Sequence, residues 1–326
     1  VIVILATFAA ENQHGAAKGA LWVFSMFKHI DNMASINLKG MGVALITPFH
    51  TDKTIDFEAL ARLLEYQIKN GIDYLVVLAT TAETATLTPQ EQVQVRDFVV
   101  ERVHGRVPLV LGVGSNNTMA VVEAVKTIDL SPFCAILSVV PYYNKPSQDG
   151  IYEHYKAIAT ACPIPIILYN VPGRTGTNMK PETCLRLARD FKNIIGVKEA
   201  SGNISQMDEI IKNKPQDFMV ISGDDAITFP LITLGACGVI SVIGNAFPKE
   251  FSRMVRLALR GDYEKALKIH HRFSDLFSLL FVDGNPAGVK CVLNAMGYIE
   301  NELRLPLVPT RITTYEKIRE VLSSLS

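Results

Sequence analysis

Short runs rich in Val and Ile alternate eight times with longer segments of helical period, and this alternation predicts a (β/α)8 TIM barrel followed by a small C-terminal helical domain. The runs are apolar at consecutive positions rather than at every second one, the pattern of parallel strands buried on both faces. Beyond the eighth unit only helical segments remain, so that part of the chain has no place in the barrel wall. An open doubly wound sheet would alternate in the same way, but no G-x-G-x-x-G opens the first helix.

The expected strands are 43–46, 74–78, 109–112, 135–139, 166–169, 195–198, 219–221 and 239–241. The expected barrel helices are 57–69, 89–102, 119–128, 150–161, 181–189, 205–212, 226–234 and 248–260. Several begin with recognisable punctuation. Thr88-Pro89 and Lys180-Pro181 place proline in a first turn, where its missing N–H costs nothing, and Asp224-Asp225 offers a capping carboxylate. The barrel is expected over 38–261 and the helical domain over 262–326, with helices near 262–281, 287–295 and 311–325. Residues 1–37 differ in composition and are expected to be a dispensable N-terminal extension, with Met33 opening the natural chain. The apolar stretch 1–10 is too short to span a bilayer and lacks a basic flank; a secretory signal ending near Ala9-Ala10 is the alternative reading.

Composition narrows the partners. The 326 residues are 48% hydrophobic, enough for a large core, and their 32 basic and 32 acidic side chains cancel. Nothing favours a nucleic acid or an anionic membrane, so a small molecule is the expected ligand. The five cysteines are scattered, odd in number and without C-x-x-C spacing, which points to reduced thiols and a cytoplasmic location. The seven histidines show no H-E-x-x-H or comparable spacing, so no metal and no other cofactor is expected. Asp224-Asp225 is read as a helix cap rather than a metal site, and 112–115, glycine-rich but without a Lys-Ser/Thr ending, as a tight turn.

In such a barrel the chemistry belongs to the loops after the C-terminal ends of the strands. There the sequence places Thr80, Thr81 and Glu83 after the second strand, Tyr142 and Tyr143 after the fourth, Tyr169 and Arg174 with the fifth, and Lys198 at the end of the sixth. Lys198 closes the apolar run Ile194-Ile195-Gly196-Val197. Apolar surroundings disfavour the charged form of an amine and leave a nucleophile that can form a Schiff base. The competing reading is a structural lysine that snorkels or pairs with Glu199. Each of the other residues has a plain structural explanation when taken alone. Together they supply an amine, hydroxyl groups to move protons and a guanidinium to hold a carboxylate.

In its combination of TTAETATL (80–87), PYYNKPSQ (141–148), YNVPGRTG (169–176), GVKEASGN (196–203), SGDD (222–225) and GVISV (238–242), the chain resembles the dihydrodipicolinate synthase family. That family is a branch of the pyruvate-dependent class I aldolases, which include N-acetylneuraminate lyase. The resemblance runs from about Leu38 to the C-terminus and includes NPAGVKCVLNAMG (285–297). It implies a lyase of lysine and diaminopimelate biosynthesis that condenses pyruvate with L-aspartate 4-semialdehyde. By the same resemblance Lys198 forms the imine, Tyr169 is the acid/base group, and Thr81 links Tyr169 to Tyr143 in a hydroxyl relay. Thr80 and Thr81 donate to the pyruvate carboxylate, while Gly223 and the Ile240 carbonyl lie beside the ketoacid. Arg174 holds the semialdehyde carboxylate, and its presence favours the synthases over the neuraminate lyases. The resemblance further implies a homotetramer built as a dimer of dimers, with Tyr143 reaching into the partner's site. The alternatives are a related aldolase acting on a 2-keto-3-deoxy acid or neuraminate-type substrate, and a barrel that binds a ketoacid without turning it over.

Two departures from the family pattern carry expectations. Ala79 and Ala82 stand where glycine is usual, so the loop must keep φ negative at both or accept strain. At the lysine-feedback site Asn116 and Tyr142 match, but Pro89, Gln92 and Ala120 replace histidines and a glutamate. Losing the carboxylate that would pair with the effector's ammonium weakens binding by on the order of 1.5–3 kcal/mol, so poor inhibition by L-lysine is expected.

Overall fold

A computed structural model describes residues 38–325; the expected extension and the start at Met33 lie outside them. Eight parallel strands close into a barrel in sequential order: β1 (Gly40–Ala44), β2 (Tyr74–Val77), β3 (Leu109–Gly112), β4 (Ala135–Val139), β5 (Ile166–Asn170), β6 (Ile194–Glu199), β7 (Met219–Ser222) and β8 (Gly238–Ser241). Each is almost wholly buried, as continuous apolar runs require. The expected strands are all present. β1 begins three residues early because Gly40 and Met41 pair with Gly238 and Val239 to close the barrel.

The surrounding helices are α1 (Phe57–Lys69), α2 (Pro89–Val103), α3 (Thr118–Thr127), α4 (Gln148–Ala161), α5 (Pro181–Asp190), α6 (Ile204–Asn213), α7 (Asp225–Leu234) and α8 (Pro248–Leu259). Their starts follow the sequence signals. Thr88 caps α2 in a reciprocal box with Glu91, and Asp56, Asn117, Ser147 and Asn203 cap α1, α3, α4 and α6 through side-chain oxygens.

Beyond the barrel lie α9 (Tyr263–Arg272), α10 (Ser274–Val282), α11 (Ala287–Ala295) and α12 (Ile312–Leu325). The single expected helix 262–281 is two, broken at Phe273, whose ring packs between Phe247 and Phe251 of the barrel. α11 is buried almost throughout, and Lys290 within it is fully buried. Among the described residues no single helix is long and apolar enough to cross a membrane.

Candidate active site

Strand alternation decides which side chains meet at the end of β6. Tyr169 pairs in register with Lys198 and Asn170 with Glu199, so the first pair shares one face of the sheet and the second pair the other. A register shift between Ile166 and Ile167 lets Ile167 pair with Gly196 and so sets Lys198 opposite Tyr169. Lys198 is 5% exposed, and its Nζ lies 4.5 Å from the centre of the Tyr169 ring. The counterion of the structural reading is unavailable. Glu199 is fully buried on the opposite face, where it accepts from Asn170 Nδ2 (2.9 Å), Gln206 Nε2 (3.0 Å) and the Ser201 N–H (2.7 Å). The Lys198 amine makes no ion pair or hydrogen bond with any described residue, and its contact is the Tyr169 ring.

Gly223 explains how the lysine stem is accommodated. A Cβ added there would meet Ala200 Cβ at 2.5 Å and Lys198 Cε at 3.1 Å, so a side chain at this position would push the amine from its place. Ile240 is fully buried on β8, paired with Gly42. The loop after it is held by Asp225, whose Oδ2 accepts from the N–H groups of Val242 (3.0 Å) and Ile243 (2.8 Å). The two aspartates therefore divide their tasks. Asp224 caps α7 through the Ala226 N–H, whereas Asp225 is buried and burial pushes its carboxyl up to about 6.

A cleft of about 810 Å3 opens at the ends of β2 to β5, and Thr80, Tyr169 and Arg174 line it together with Tyr142, Gln92 and Asn285. Lys198, Thr81, Tyr143, Gly223 and Ile240 do not line it; Lys198 meets it through the Tyr169 ring. Arg174 sits on a one-turn helix, Pro172–Thr175, and its Nη2 donates to the Asn285 carbonyl at 3.2 Å. Thr81 is buried, and its Oγ1 accepts from Asn285 Nδ2 at 3.1 Å rather than bonding to either tyrosine. Tyr143 is 87% exposed, with φ of 72° and its N–H donating to the Thr175 carbonyl at 3.2 Å. Within one chain the expected relay is thus not assembled. Lys198 and Tyr169 are together, Thr81 is bonded to Asn285, and Tyr143 is exposed.

The threonine loop keeps its shape without glycine. Ala79 has φ of −92° and Ala82 is not left-handed; the positive angles fall on either side, at Leu78 (55°) and Glu83 (54°). Glu83 is held by the C-terminal segment. Its Oε1 is 2.5 Å from Lys290 Nζ and its Oε2 accepts from the Arg304 N–H at 3.0 Å. Arg304 also forks onto Glu91 (2.6 and 2.7 Å), which holds that carboxyl down to about 2. Asn285, Lys290 and Arg304 were not singled out from the sequence. Asn285 and Lys290 fall in the segment 285–297 and Arg304 lies beyond it, and contact with a loop some 200 positions earlier has no local signature.

The model of the Dihydrodipicolinate synthetase family matches residues 37–325. The chain belongs to the dihydrodipicolinate synthetase family. It is 71% identical over 294 residues to the 4-hydroxy-tetrahydrodipicolinate synthase of Parabacteroides distasonis, an alignment that covers 90% of this chain and 99% of the relative. Among solved structures, the family member from Thermotoga maritima superposes with a TM-score of 0.86 at 43% identity, covering 88% of this chain and 98% of that one. The chloride-inhibited family member from Acinetobacter baumannii, complexed with pyruvate, gives a TM-score of 0.86 at 38% identity, covering 89% and 99%. Among the described residues no cluster of three or more His, Cys, Asp or Glu side chains could hold a metal ion.

Proposed function

We propose that this chain is a 4-hydroxy-tetrahydrodipicolinate synthase, a lyase that joins pyruvate to L-aspartate 4-semialdehyde through a Schiff base on Lys198. The observation that carries the assignment of the nucleophile is the buried amine of Lys198, which has no counterion among the described residues and lies against the Tyr169 ring at the mouth of the barrel.

The chemistry follows from that placement. Nζ adds to the ketone carbon of pyruvate and water leaves, giving an iminium that draws electrons from the neighbouring methyl group. Loss of a methyl proton gives an enamine, whose carbon adds to the aldehyde carbon of the second substrate. The amine of that substrate then displaces Lys198 from the imine carbon, closing the ring and freeing the enzyme. Every step moves protons, and Tyr169 is the phenol positioned to do so, with Thr81 as its neighbour in the relay. Thr80 and the main-chain N–H of Thr81 hold the pyruvate carboxylate, the Gly223 and Ile240 backbone borders the ketoacid, and Arg174 takes the carboxylate of the semialdehyde.

Tyr143 completes the relay from a partner subunit, so the working unit is a tight dimer, paired again into a homotetramer. Its exposure and its constrained backbone support this reading, since a rigidly presented phenol facing outward suits a group that serves a neighbouring chain. The cytoplasm is the proposed location, consistent with five free thiols, three of them buried.

The test is intact mass after borohydride reduction in the presence of pyruvate, for wild type and Lys198→Ala. An adduct that is absent in the variant and is consumed on adding the semialdehyde supports the assignment. An adduct that persists in Lys198→Ala places the imine elsewhere, and one that the semialdehyde does not consume points to another aldehyde.

A further inference from the structure

Asn285 precedes α11, far from the barrel rim in sequence, yet it touches two of the rim residues directly. Its Nδ2 donates to Thr81 Oγ1 at 3.1 Å, and its backbone carbonyl accepts from Arg174 Nη2 at 3.2 Å. It lines the same cleft as Thr80, Tyr169 and Arg174, and it is 6% exposed. We propose that Asn285 is a positioning residue of the proton relay, which commits the Thr81 hydroxyl to donate its proton onward and seats the Arg174 side chain. The inference deepens the imine mechanism above and rests on it.

A hydroxyl has one proton and two lone pairs, and a carboxamide N–H2 group can only donate. Once Thr81 Oγ1 accepts from Asn285, its own proton is released from pairing with that side chain and is available to a phenol oxygen. In the working relay Thr81 donates to the Tyr169 oxygen, which readies Tyr169 to release its own proton at the next step. Without Asn285 the hydroxyl rotates freely between accepting and donating. The main-chain fastening is independent of the amide: Lys290 and Arg304 hold Glu83, two residues beyond Thr81. Removing the Asn285 carboxamide should therefore disturb the direction of the hydroxyl more than the path of the loop.

The experiment is a double-mutant cycle on the rate of imine formation, read by borohydride trapping with pyruvate in single turnover. The enzymes are wild type, Asn285→Ala, Thr81→Val and the double variant. Asn285→Ala is expected to slow the step by roughly 10–100-fold with pyruvate KM little changed, within the range of positioned proton transfer. In the Thr81→Val background the same change should cost less than about 2-fold, because the residue acts through a hydroxyl already removed. Asn285→Asp keeps the shape but only accepts when ionised, which turns the Thr81 proton back on itself. It should match Asn285→Ala near neutral pH and gain on it as pH falls and the carboxyl becomes a donor.

Equal losses from Asn285→Ala in both backgrounds, or Asn285→Asp as fast as wild type at neutral pH, would overturn the inference. If the alanine variant does not fold, the aspartate variant and its pH profile decide alone. Absence of any pyruvate adduct in wild type would remove the imine reading as well, whereas a wild-type adduct with an additive cycle removes only the role of Asn285.

Discussion

Replacing Lys290 with methionine tests how the C-terminal segment holds the loop after β2. Both side chains of the Lys290–Glu83 pair are 0% exposed, at 2.5 Å. Lys290 Nζ also donates to the Glu302 carbonyl at 2.9 Å and lies 4.1 Å from the centre of the Phe49 ring. Burial pushes the Lys290 amine down from 10.5 to about 8, with Glu83 opposing the shift. Desolvation therefore outweighs the attraction of Glu83 at this amine, as is usual when both partners of an ion pair are taken out of water. The pair is therefore not a strong net source of stability. Breaking it is another matter. Lys290→Met leaves a buried carboxylate with the Arg304 N–H as its remaining donor, and the expected loss is about 3–5 kcal/mol. In Glu83→Gln/Lys290→Met the charge is gone and the amide still accepts from Arg304, so most of that loss should return. Urea unfolding at pH 7.5, followed by far-ultraviolet circular dichroism, measures all three. A Lys290→Met protein within about 1 kcal/mol of wild type, or a double variant no better than the single, would refute the reasoning.

The other expectations can be stated briefly. Arg174→Ala should raise the semialdehyde KM far more than the pyruvate KM, and equal effects in steady-state kinetics would argue against its holding the aldehyde substrate's carboxylate. If Tyr143 serves the partner's site, mixing inactive Lys198→Ala with inactive Tyr143→Phe and allowing exchange should restore activity toward roughly a quarter of wild type, since half the dimers are mixed and each has one intact site. A site complete in one chain would show no recovery. Asp225 has a carboxyl raised from 3.8 to about 6, so it contributes stability present below pH 4 and lost as pH rises through 6, about 3 kcal/mol in all. Asp225→Asn should flatten unfolding midpoints between pH 4 and 7 and approach or exceed wild type at pH 7; an unchanged slope would show that this carboxyl does not titrate there. L-Lysine should inhibit poorly, because Pro89, Gln92 and Ala120 offer the effector no carboxylate, and sub-millimolar inhibition in a steady-state assay would contradict this.

What was legible in the sequence, and what was not, follows from the range of the interactions concerned. The strands were legible because each is buried on both faces and so is apolar at every position, and the helix starts because caps are local chemistry. Lys198 was legible for the same reason: a charged residue ending the apolar run 194–197 stands out against its neighbours. The end of β1 at Gly40 was not, since it is set by pairing with β8 almost two hundred residues away. The break at Phe273 was hidden too, because the residue is apolar like those around it and only its packing against Phe247 and Phe251 ends the helix.

The same distinction explains why the candidate rim residues stand out in the sequence and the residues that contact them do not. Lys198, Tyr169, Thr81 and Arg174 lie on strand ends and the loops that follow, where the barrel fold itself says to look. Asn285, Lys290 and Arg304 lie outside the barrel repeat, in a segment whose composition reads as ordinary helix and loop. Their side chains nevertheless reach Thr81, Glu83 and Glu91, all in or beside the loop after β2. A barrel ending at β8 and α8 would leave Thr81 without its donor and Glu83 without its cation. On this argument the helical segment is more than a surface for assembly. It supplies the polar contacts that fix one side of the site, so truncating it should abolish activity in a way that restoring the oligomer alone would not repair.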